Sequence, residues 1–152
     1  MRRWEFTGET KTVFGIVLHR IKASVTFTLK CGIKIEAGEL GGWIEKESNL
    51  DGDAWVYGDA WVFGDARVYG DAWVYGNAQV KKTADYIVLK NNWSSGRYFT
   101  YTLSNKMWKV GCFYGTGEAL IKKAYADSEL SGKCYEAAVR YVEALEKIQA
   151  EE

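Results

Sequence analysis

The feature that most constrains the fold is a six-residue repeat, plainest in GDAWVYGDAWVFGDARVYGDAWVYGNAQV from Gly52 to Val80. Each unit has an aliphatic residue followed four positions later by a small one, in the pairs Ile44/Ser48, Leu50/Ala54, Val56/Ala60, Val62/Ala66, Val68/Ala72, Val74/Ala78 and Val80/Ala84. In an α-helix a step of six residues rotates the chain by about 600°, so these aliphatic side chains would drift around the cylinder. The repeat therefore predicts short strands joined by tight corners.

The corners of the repeat also favour strands, because Gly permits positive φ and Asp or Asn can bond its own backbone in a turn. The corner dipeptides are Gly58-Asp59, Gly64-Asp65, Gly70-Asp71 and Gly76-Asn77. This pattern resembles the hexapeptide repeat of left-handed parallel β-helices, in which three units form one coil of about 18 residues. The resemblance implies that the aliphatic residues point inward, that their neighbours point outward, and that successive coils stack about 4.8 Å apart.

The chain is expected to have three parts, at residues 1–43, 44–85 and 86–152. The stretch from Arg3 to Ile35 alternates apolar and polar residues around a turn at Thr7-Gly8-Glu9, which predicts strands that cap the lower edge of the repeat. The last part predicts three antiparallel strands, then a helix from Gly117 to Ala126 and a second from Gly132 to Gln149. The predicted fold class is mainly β with C-terminal helices (α+β). It is a short left-handed parallel β-helix flanked by an N-terminal β-hairpin region and a C-terminal β-β-β-α-α unit.

Charge and cysteine usage narrow the function classes. Lys plus Arg and Asp plus Glu each number 20, so the net charge is zero, which disfavours DNA and membrane surfaces as partners. Cys31, Cys112 and Cys134 are odd in number and far apart, which disfavours a disulfide framework or a zinc site and indicates a reducing, cytoplasmic setting. The first residues lack the apolar run of a signal peptide, and no segment approaches membrane-spanning length.

Several segments outside the plain repeats carry a family resemblance. LHRIKA (Leu18 to Ala23), AGELGGWIEKESNL (Ala37 to Leu50) and VGCFYGT (Val110 to Thr116) resemble a family of small phage- and prophage-encoded hexapeptide-repeat proteins. The resemblance implies a β-helix and a phage or prophage origin. It implies no catalytic residues, and the family has no established common activity.

The aromatic residues beside the inward aliphatics are the candidate binding residues. They are Trp43, Trp55, Tyr57, Trp61, Phe63, Trp73 and Tyr75. They either pack against the flanking segments or a symmetry mate, or they form a stacking site for a planar ligand such as a nucleobase, worth about 1–3 kcal/mol per base. A nucleotide also needs a partner for its phosphate, and the candidate anion-binding residues are Arg67, Lys81, Lys82 and Arg97. Arg97 follows the loop NNWSSG, whose backbone amides could hold an anion.

Catalytic chemistry is weakly supported. Acyltransferases with this kind of repeat use a histidine as general base between subunits, but His19 lies outside the repeat and is expected in an N-terminal strand with a structural role. Cys112 is expected to be a buried strand residue, since no second histidine or acid pair marks a nucleophile site. The sequence predicts no catalytic residue, no cofactor and no metal site.

The acidic residues of the repeat have a plain structural interpretation as turn formers, with only Asp53 and Asp71 stacked. Residues 44–80 nevertheless contain seven acidic residues against Lys46 and Arg67, a difference of five negative charges. Such a mildly acidic waist could dock on a basic protein surface.

Together these observations predict a non-catalytic, phage-encoded binding protein in the bacterial cytoplasm that forms a homo-oligomer. The predicted role is counter-defence, by inhibiting a host defence protein or by sequestering a nucleotide second messenger. The alternative is a structural, self-assembling hexapeptide-repeat scaffold, and an acyltransferase is less favoured. No DNA or membrane partner is expected.

Overall fold

The computed structural model describes residues 2–29 and 32–151, so Cys31 lies outside the described residues. The chain begins with an antiparallel hairpin of β1 (Trp4–Val13) and β2 (Ile16–Ala23). The predicted turn at Thr7-Gly8-Glu9 is wrong, because these residues lie within β1 at a register shift between Phe6 and Thr10. The chain reverses instead at Phe14-Gly15, where φ is 51° and 79°. A short pair, β3 (Phe27–Thr28) and β4 (Lys34–Ile35), follows.

The repeat forms parallel ladders with a register of 18 residues. Its strands are β5 (Leu40–Ile44), β6 (Trp55–Val56), β7 (Trp61–Val62), β8 (Trp73–Val74) and β9 (Gln79–Val80). β7 lies between β5 and β9, β6 pairs with β8, and a parallel bridge joins Leu50 to Val68. Trp43 is opposite Trp61, and Trp55 is opposite Trp73. The predicted stacking of residues 18 apart is therefore confirmed on all three ladders.

The interior of the repeat is aliphatic, as predicted, but its two ends differ from the pattern. All seven aliphatic residues from Ile44 to Val80 are buried, and so are the five alanines from Ala54 to Ala78. Ser48 and Ala84 are exposed because the chain forms 3₁₀ turns over Glu47–Asn49 and Thr83–Asp85.

Asn49, which follows Ser48, also differs from what the repeat predicts. Asn49, expected to face outward, is fully buried, and its Nδ2 donates to the carbonyl of Ala66 at 2.8 Å. In the first and last units of the repeat, the aliphatic residue is thus buried as predicted, whereas the small residue is exposed.

The C-terminal unit is a four-stranded antiparallel sheet followed by two helices. Its elements are β10 (Tyr86–Lys90), β11 (Tyr98–Thr102), β12 (Met107–Val110), β13 (Phe113–Gly115), α1 (Gly117–Asp127) and α2 (Glu129–Ala150). The predicted third strand is in fact the hairpin of β12 and β13, with its turn at Gly111-Cys112. Cys112 is therefore exposed and is not a buried strand residue.

Local caps explain where the helices begin. The Thr116 side chain accepts a hydrogen bond from the amide of Ala119, and the Ser128 side chain accepts one from the amide of Ser131. The second helix begins at Glu129, earlier than the predicted start at Gly132, because Ser128 serves both as the end of α1 and as the N-cap of α2. Mainly β with two C-terminal helices is thus the confirmed fold class, α+β.

The upper edge of the ladders is covered by side chains of the C-terminal unit. The amide of Trp73 donates to Thr100 Oγ1 at 3.0 Å, and the amide of Gln79 donates to Ser104 Oγ at 2.8 Å. On the third ladder the Tyr86 hydroxyl accepts from the amide of Tyr69 at 3.4 Å. These contacts satisfy strand groups that a further coil would otherwise bond.

The lower edge of the ladders is covered by the N-terminal region. β2 pairs antiparallel with β5, which confirms the predicted cap for that ladder. The backbone there approaches the repeat closely, since a Cβ added at Gly42 would lie 2.6 Å from Cγ1 of Val56. No helix among the described residues combines the length and the apolar character needed to cross a membrane.

Candidate functional site

Three of the candidate tryptophans are covered by the flanking segments. Trp43, Trp55 and Trp73 are at most 5% exposed. Phe27 packs edge-on against Trp55 at 5.5 Å between ring centroids, and Lys109 Nζ lies 4.6 Å from the ring of Trp73. These tryptophans offer no free face on which a ligand could stack. For them the packing interpretation holds, and they belong to the core.

Trp61 and Phe63 are half-buried and lie beside the tip of the N-terminal hairpin. Lys11 Nζ lies 5.0 Å from the ring of Trp61. The cleft that Trp61 and Phe63 share with Phe14 measures only about 20 Å³. A space of that size holds about one water molecule, so these two rings do not form a ligand site.

The remaining candidates, Tyr57 and Tyr75, do form part of a cavity. Their rings stack with centroids 5.1 Å apart at an angle of 10°, and Tyr114 of β13 meets Tyr75 at 4.8 Å and 64°. The cavity has a volume of about 570 Å³. We call it the tyrosine groove, and its lining residues are Tyr57, Gly58, Asp59, Tyr75, Gly76, Asn77, Asn105, Met107 and Tyr114.

Asn105 organises the polar side of the tyrosine groove. Its Oδ1 accepts from Thr102 Oγ1 at 2.6 Å, and its Nδ2 donates to Asn77 Oδ1 and to the hydroxyl of Tyr114, both at 3.1 Å. The same hydroxyl packs directly on Gly76, whose φ is 71°, and a Cβ there would overlap it. The glycine corner of the repeat therefore admits the tyrosine of the C-terminal sheet.

The groove presents neutral hydrogen-bonding groups at physiological pH. Burial, with a smaller contribution from Glu39, raises the pKa of Tyr57 above its usual range. Burial also raises the pKa of Tyr114, so both phenols remain protonated donors. The lining residues include Asp59 and no Lys or Arg. The site can stack a ring and bond its edge. The cation beside it, Lys109 Nζ at 4.6 Å from the Tyr75 ring, belongs to a residue that is only 7% exposed and does not line the groove.

The candidate cations lie elsewhere. Arg67 pairs with Asp51 on the third ladder, at 2.7 Å between Nη2 and Oδ2. Its hydrogen bond lowers the pKa of the Asp51 carboxyl. Lys81 and Lys82 are exposed just after β9, and their amides donate to Asp85 Oδ2 at 2.9 and 3.0 Å. None of the three basic residues lines the tyrosine groove.

Most amides of the loop before Arg97 donate to acceptors within the loop itself. The amides of Trp93 and Ser94 donate to Asn91 Oδ1 at 3.1 and 2.9 Å, and the amide of Gly96 donates to the carbonyl of Asn91 at 2.8 Å. The amide of Arg97 donates to Ser95 Oγ at 3.2 Å. These internal acceptors use four of the amides that an anion would need, so the structure gives the predicted anion-binding loop little support.

The acidic waist is the net negative charge of residues 44–80, and two arginines from outside that range partly neutralise it. Arg2 pairs with Glu47 at 3.0 Å and Arg3 pairs with Asp53 at 2.9 Å. Because both arginines come from the N-terminus, only the folded chain brings them to the repeat. The waist is thus a weaker attractor for a basic surface than its sequence suggests.

The remaining reactive residues have ordinary surroundings. His19 lies in β2 with its ring 4.9 Å from that of Phe6, which fits the structural role expected of it. Within residues 2–29 and 32–151, no group of three or more His, Cys, Asp or Glu side chains is placed to hold a metal ion.

Sequence reasoning missed the C-terminal side of the tyrosine groove and all of a second cavity. Asn105 and Tyr114 come from the aperiodic C-terminal sheet, where no repeat signals which side chains meet the ladder. The second cavity lies between that sheet and the two helices, near Tyr101 and Trp108. Its lining comes from four separate elements, so no local motif marks it. Comparison with known proteins gives no matching family model, no similar curated protein and no similar solved structure, and the function has to be inferred from these sites themselves.

Proposed function

We propose that the chain is a non-catalytic binding protein, built on a short left-handed parallel β-helix, that contacts its partner in the tyrosine groove. The observation that carries this proposal is the half-buried Tyr57–Tyr75 stack beside the amides of Asn77 and Asn105. Stacked rings next to fixed donors and acceptors are typical of sites that bind a flat polar group.

The coil proposed for the repeat is supported by its register and its corners. The three ladders pair residues 18 apart, as in Trp43 with Trp61 and Leu50 with Val68. The corner glycines Gly58, Gly64 and Gly70 have φ between 64° and 69°. Equal corners at equal spacing are what a regular three-sided coil requires.

The lining favours a protein partner over a nucleotide. A nucleotide phosphate needs a cationic or amide partner, and the groove offers Asp59 with no Lys or Arg. An aromatic ring or a guanidinium from a partner protein would stack on Tyr57 and bond the side chains of Asn77 or Asn105. Of the two counter-defence roles, inhibition of a host defence protein is thus the one we propose. The phage origin, the cytoplasmic location and the homo-oligomer remain predictions.

The covered edges of the ladders argue against the scaffold alternative. End-to-end assembly needs free strand edges, whereas Thr100, Ser104 and Tyr86 bond the upper amides and β2 pairs with the lower strand β5. A closed module of this kind suits a discrete binding protein better than a filament.

The test compares two tyrosines of the groove with one outside it. Tyr57→Ala and Tyr75→Ala are expected to lose a partner that co-purifies from bacterial host cells. The matched control is Tyr69→Ala, since Tyr69 is 52% exposed in an equivalent unit of the repeat and does not line the groove. Partner loss in all three variants, or in none, contradicts the proposal. A thermal shift with AMP that exceeds the shift with adenosine would instead support the nucleotide role.

A further inference from the structure

The second cavity lies between the C-terminal sheet and the two helices, and its volume is about 470 Å³. We call it the helical cavity, and its principal lining residues are Tyr101, Lys106, Trp108, Glu118, Glu143 and Glu146. It is separate from the tyrosine groove, although the turn between β11 and β12 contributes Asn105 to the groove and Lys106 to this cavity.

The innermost charged group of the helical cavity is the carboxylate of Glu146. Its side chain is only 19% exposed. Its Oε1 accepts from the Tyr101 hydroxyl at 2.6 Å, and its Oε2 accepts from Lys106 Nζ at 2.9 Å. Tyr101 is itself buried. One carboxylate oxygen is therefore fixed by a buried phenol, and the other receives an ammonium group.

The ammonium that occupies this place reaches it from a solvent-exposed turn. Lys106 has a positive φ of 54°, and its side chain is 73% exposed. An ion pair with one strongly exposed partner is weak, because water screens the charges and ordering the long side chain costs entropy. The Lys106 ammonium therefore shows that the cavity accepts such a group, while the ion pair that keeps it there is weak.

The apolar wall of the cavity suits a lysine side chain as well. The rings of Tyr101 and Trp108 lie 4.7 Å apart and form this wall. At the rim Glu118 and Glu143 already pair with Arg140 Nη1, at 2.9 and 2.8 Å, so Glu146 is the carboxylate that an incoming ammonium meets. A long alkyl stem against aromatic rings, with an ammonium on a carboxylate, is a recurrent binding mode for lysine.

We propose that the helical cavity binds a lysine side chain of a basic partner peptide. Glu146 receives the incoming ammonium, and Lys106 is the internal occupant that it displaces. Tyr101 acts as a positioning residue, since its hydroxyl donates to Oε1 of Glu146 and so orients the carboxylate. This site uses none of the groove tyrosines, so it stands or fails separately from the proposed function.

The test titrates the full chain with a Gly-Lys-Gly peptide and with its Gly-norleucine-Gly analogue, by calorimetry and by the NMR shift of the Trp108 indole. Lys106→Met removes the internal ammonium and keeps an unbranched stem. The lysine peptide is expected to bind Lys106→Met about fivefold more tightly than the unsubstituted chain, because the competing occupant is gone. Adding Glu146→Gln to that variant is expected to abolish the gain.

Two comparisons decide the outcome. The proposal is overturned if norleucine binds as well as lysine, or if Lys106→Met binds the lysine peptide no more tightly than the unsubstituted chain. Unchanged thermal midpoints and near-UV circular dichroism show whether each variant is folded, and Lys106→Gln repeats the test if Lys106→Met is not. Tyr69→Ala serves as the matched control and is expected to leave lysine binding unchanged, because Tyr69 is exposed and lines neither cavity.

Discussion

The parallel ladders and the C-terminal unit solve the same packing problem in different ways. In the ladders, each residue lies beside its counterpart 18 positions away in the neighbouring strand, as Val56 lies opposite Val74, so one six-residue rule fills the interior. In the C-terminal unit, every contact is particular, as where Tyr101 meets Trp108 and Glu146. The aliphatic interior of the regular part is buried. The tyrosine groove and the helical cavity both include residues from the irregular part.

That difference indicates where function can arise. A repeated ladder offers the same surface at each step, and here the flanking segments cover most of its aromatic rings. The tyrosine groove forms where the C-terminal sheet places Asn105 and Tyr114 against the corner at Gly76. The following variants test this division between scaffold and site.

The largest expected effect comes from the ladder core. Trp55→Ala should lower the free energy of unfolding by about 3–5 kcal/mol, because the ring is fully buried and packs on Phe27. Tyr69→Ala, at an exposed position of the same repeat, should change it by less than about 0.5 kcal/mol. Urea unfolding measures both. Similar losses from the two variants would mean that the covered and open rings do not differ as described.

The next effect distinguishes two corners with the same backbone conformation. Gly76→Ala and Gly70→Ala both place a side chain at positive φ, 71° and 69°, which costs about 1–2 kcal/mol. Only the first also meets the Tyr114 hydroxyl, whereas a Cβ at Gly70 meets nothing within 4 Å. Gly76→Ala should therefore cost about 1–3 kcal/mol more. Equal thermal midpoints for the two variants would contradict the close contact between Gly76 and the Tyr114 hydroxyl.

A smaller effect is expected at the upper edge of the ladders. Thr100→Val keeps the shape of a buried side chain but leaves the Trp73 amide without its acceptor, which should cost about 1–3 kcal/mol. Ser104→Ala removes an exposed acceptor that water can replace, so its cost should stay below about 0.5 kcal/mol. Chemical denaturation of the two variants measures the difference. A larger loss for Ser104→Ala would show that the edge is secured at the exposed contact instead.

The smallest effect at neutral pH concerns Tyr101. Burial, followed by its hydrogen bond to Glu146, raises the pKa of Tyr101. A folded pKa above the unfolded value of about 10 gives stability that is complete below pH 10 and is lost as the pH rises further. Tyr101→Phe should therefore flatten the fall of the thermal midpoint between about pH 9 and about pH 11. An unchanged slope would show that the phenol is not desolvated.

The sequence predicts the ladders well because their rule is local and repeated. The register, the inward aliphatics and the helix beginning at Gly117 all follow from spacing and caps. The prediction fails at the first hairpin. Thr7-Gly8-Glu9 has the composition of a turn, but the chain turns at Phe14, a residue type that is rarely found at positive φ. It also misses the ends of the repeat, where Asn49 replaces a small residue in the interior.

The candidate site was predicted only in part for a related reason. Tyr57 and Tyr75 are visible in the repeat, but the pattern makes them equivalent to rings that the flanks cover. Which rings remain accessible depends on where the C-terminal sheet docks, and that is set by particular contacts such as Trp73 with Thr100. The cations at Arg67 and Arg97 matched a nucleotide site in residue type and lie away from the tyrosine groove.

The most direct test of the central claim maps where a partner touches the molecule. A photo-crosslinking amino acid, p-benzoylphenylalanine, is placed at the exposed rim of the tyrosine groove in Asn77→p-benzoylphenylalanine, and at the exposed control position in Tyr69→p-benzoylphenylalanine. Illumination in host cells followed by mass spectrometry should give a partner adduct from position 77 and none from position 69. An adduct from position 69 alone would contradict the assignment of binding to the junction between the ladders and the C-terminal sheet.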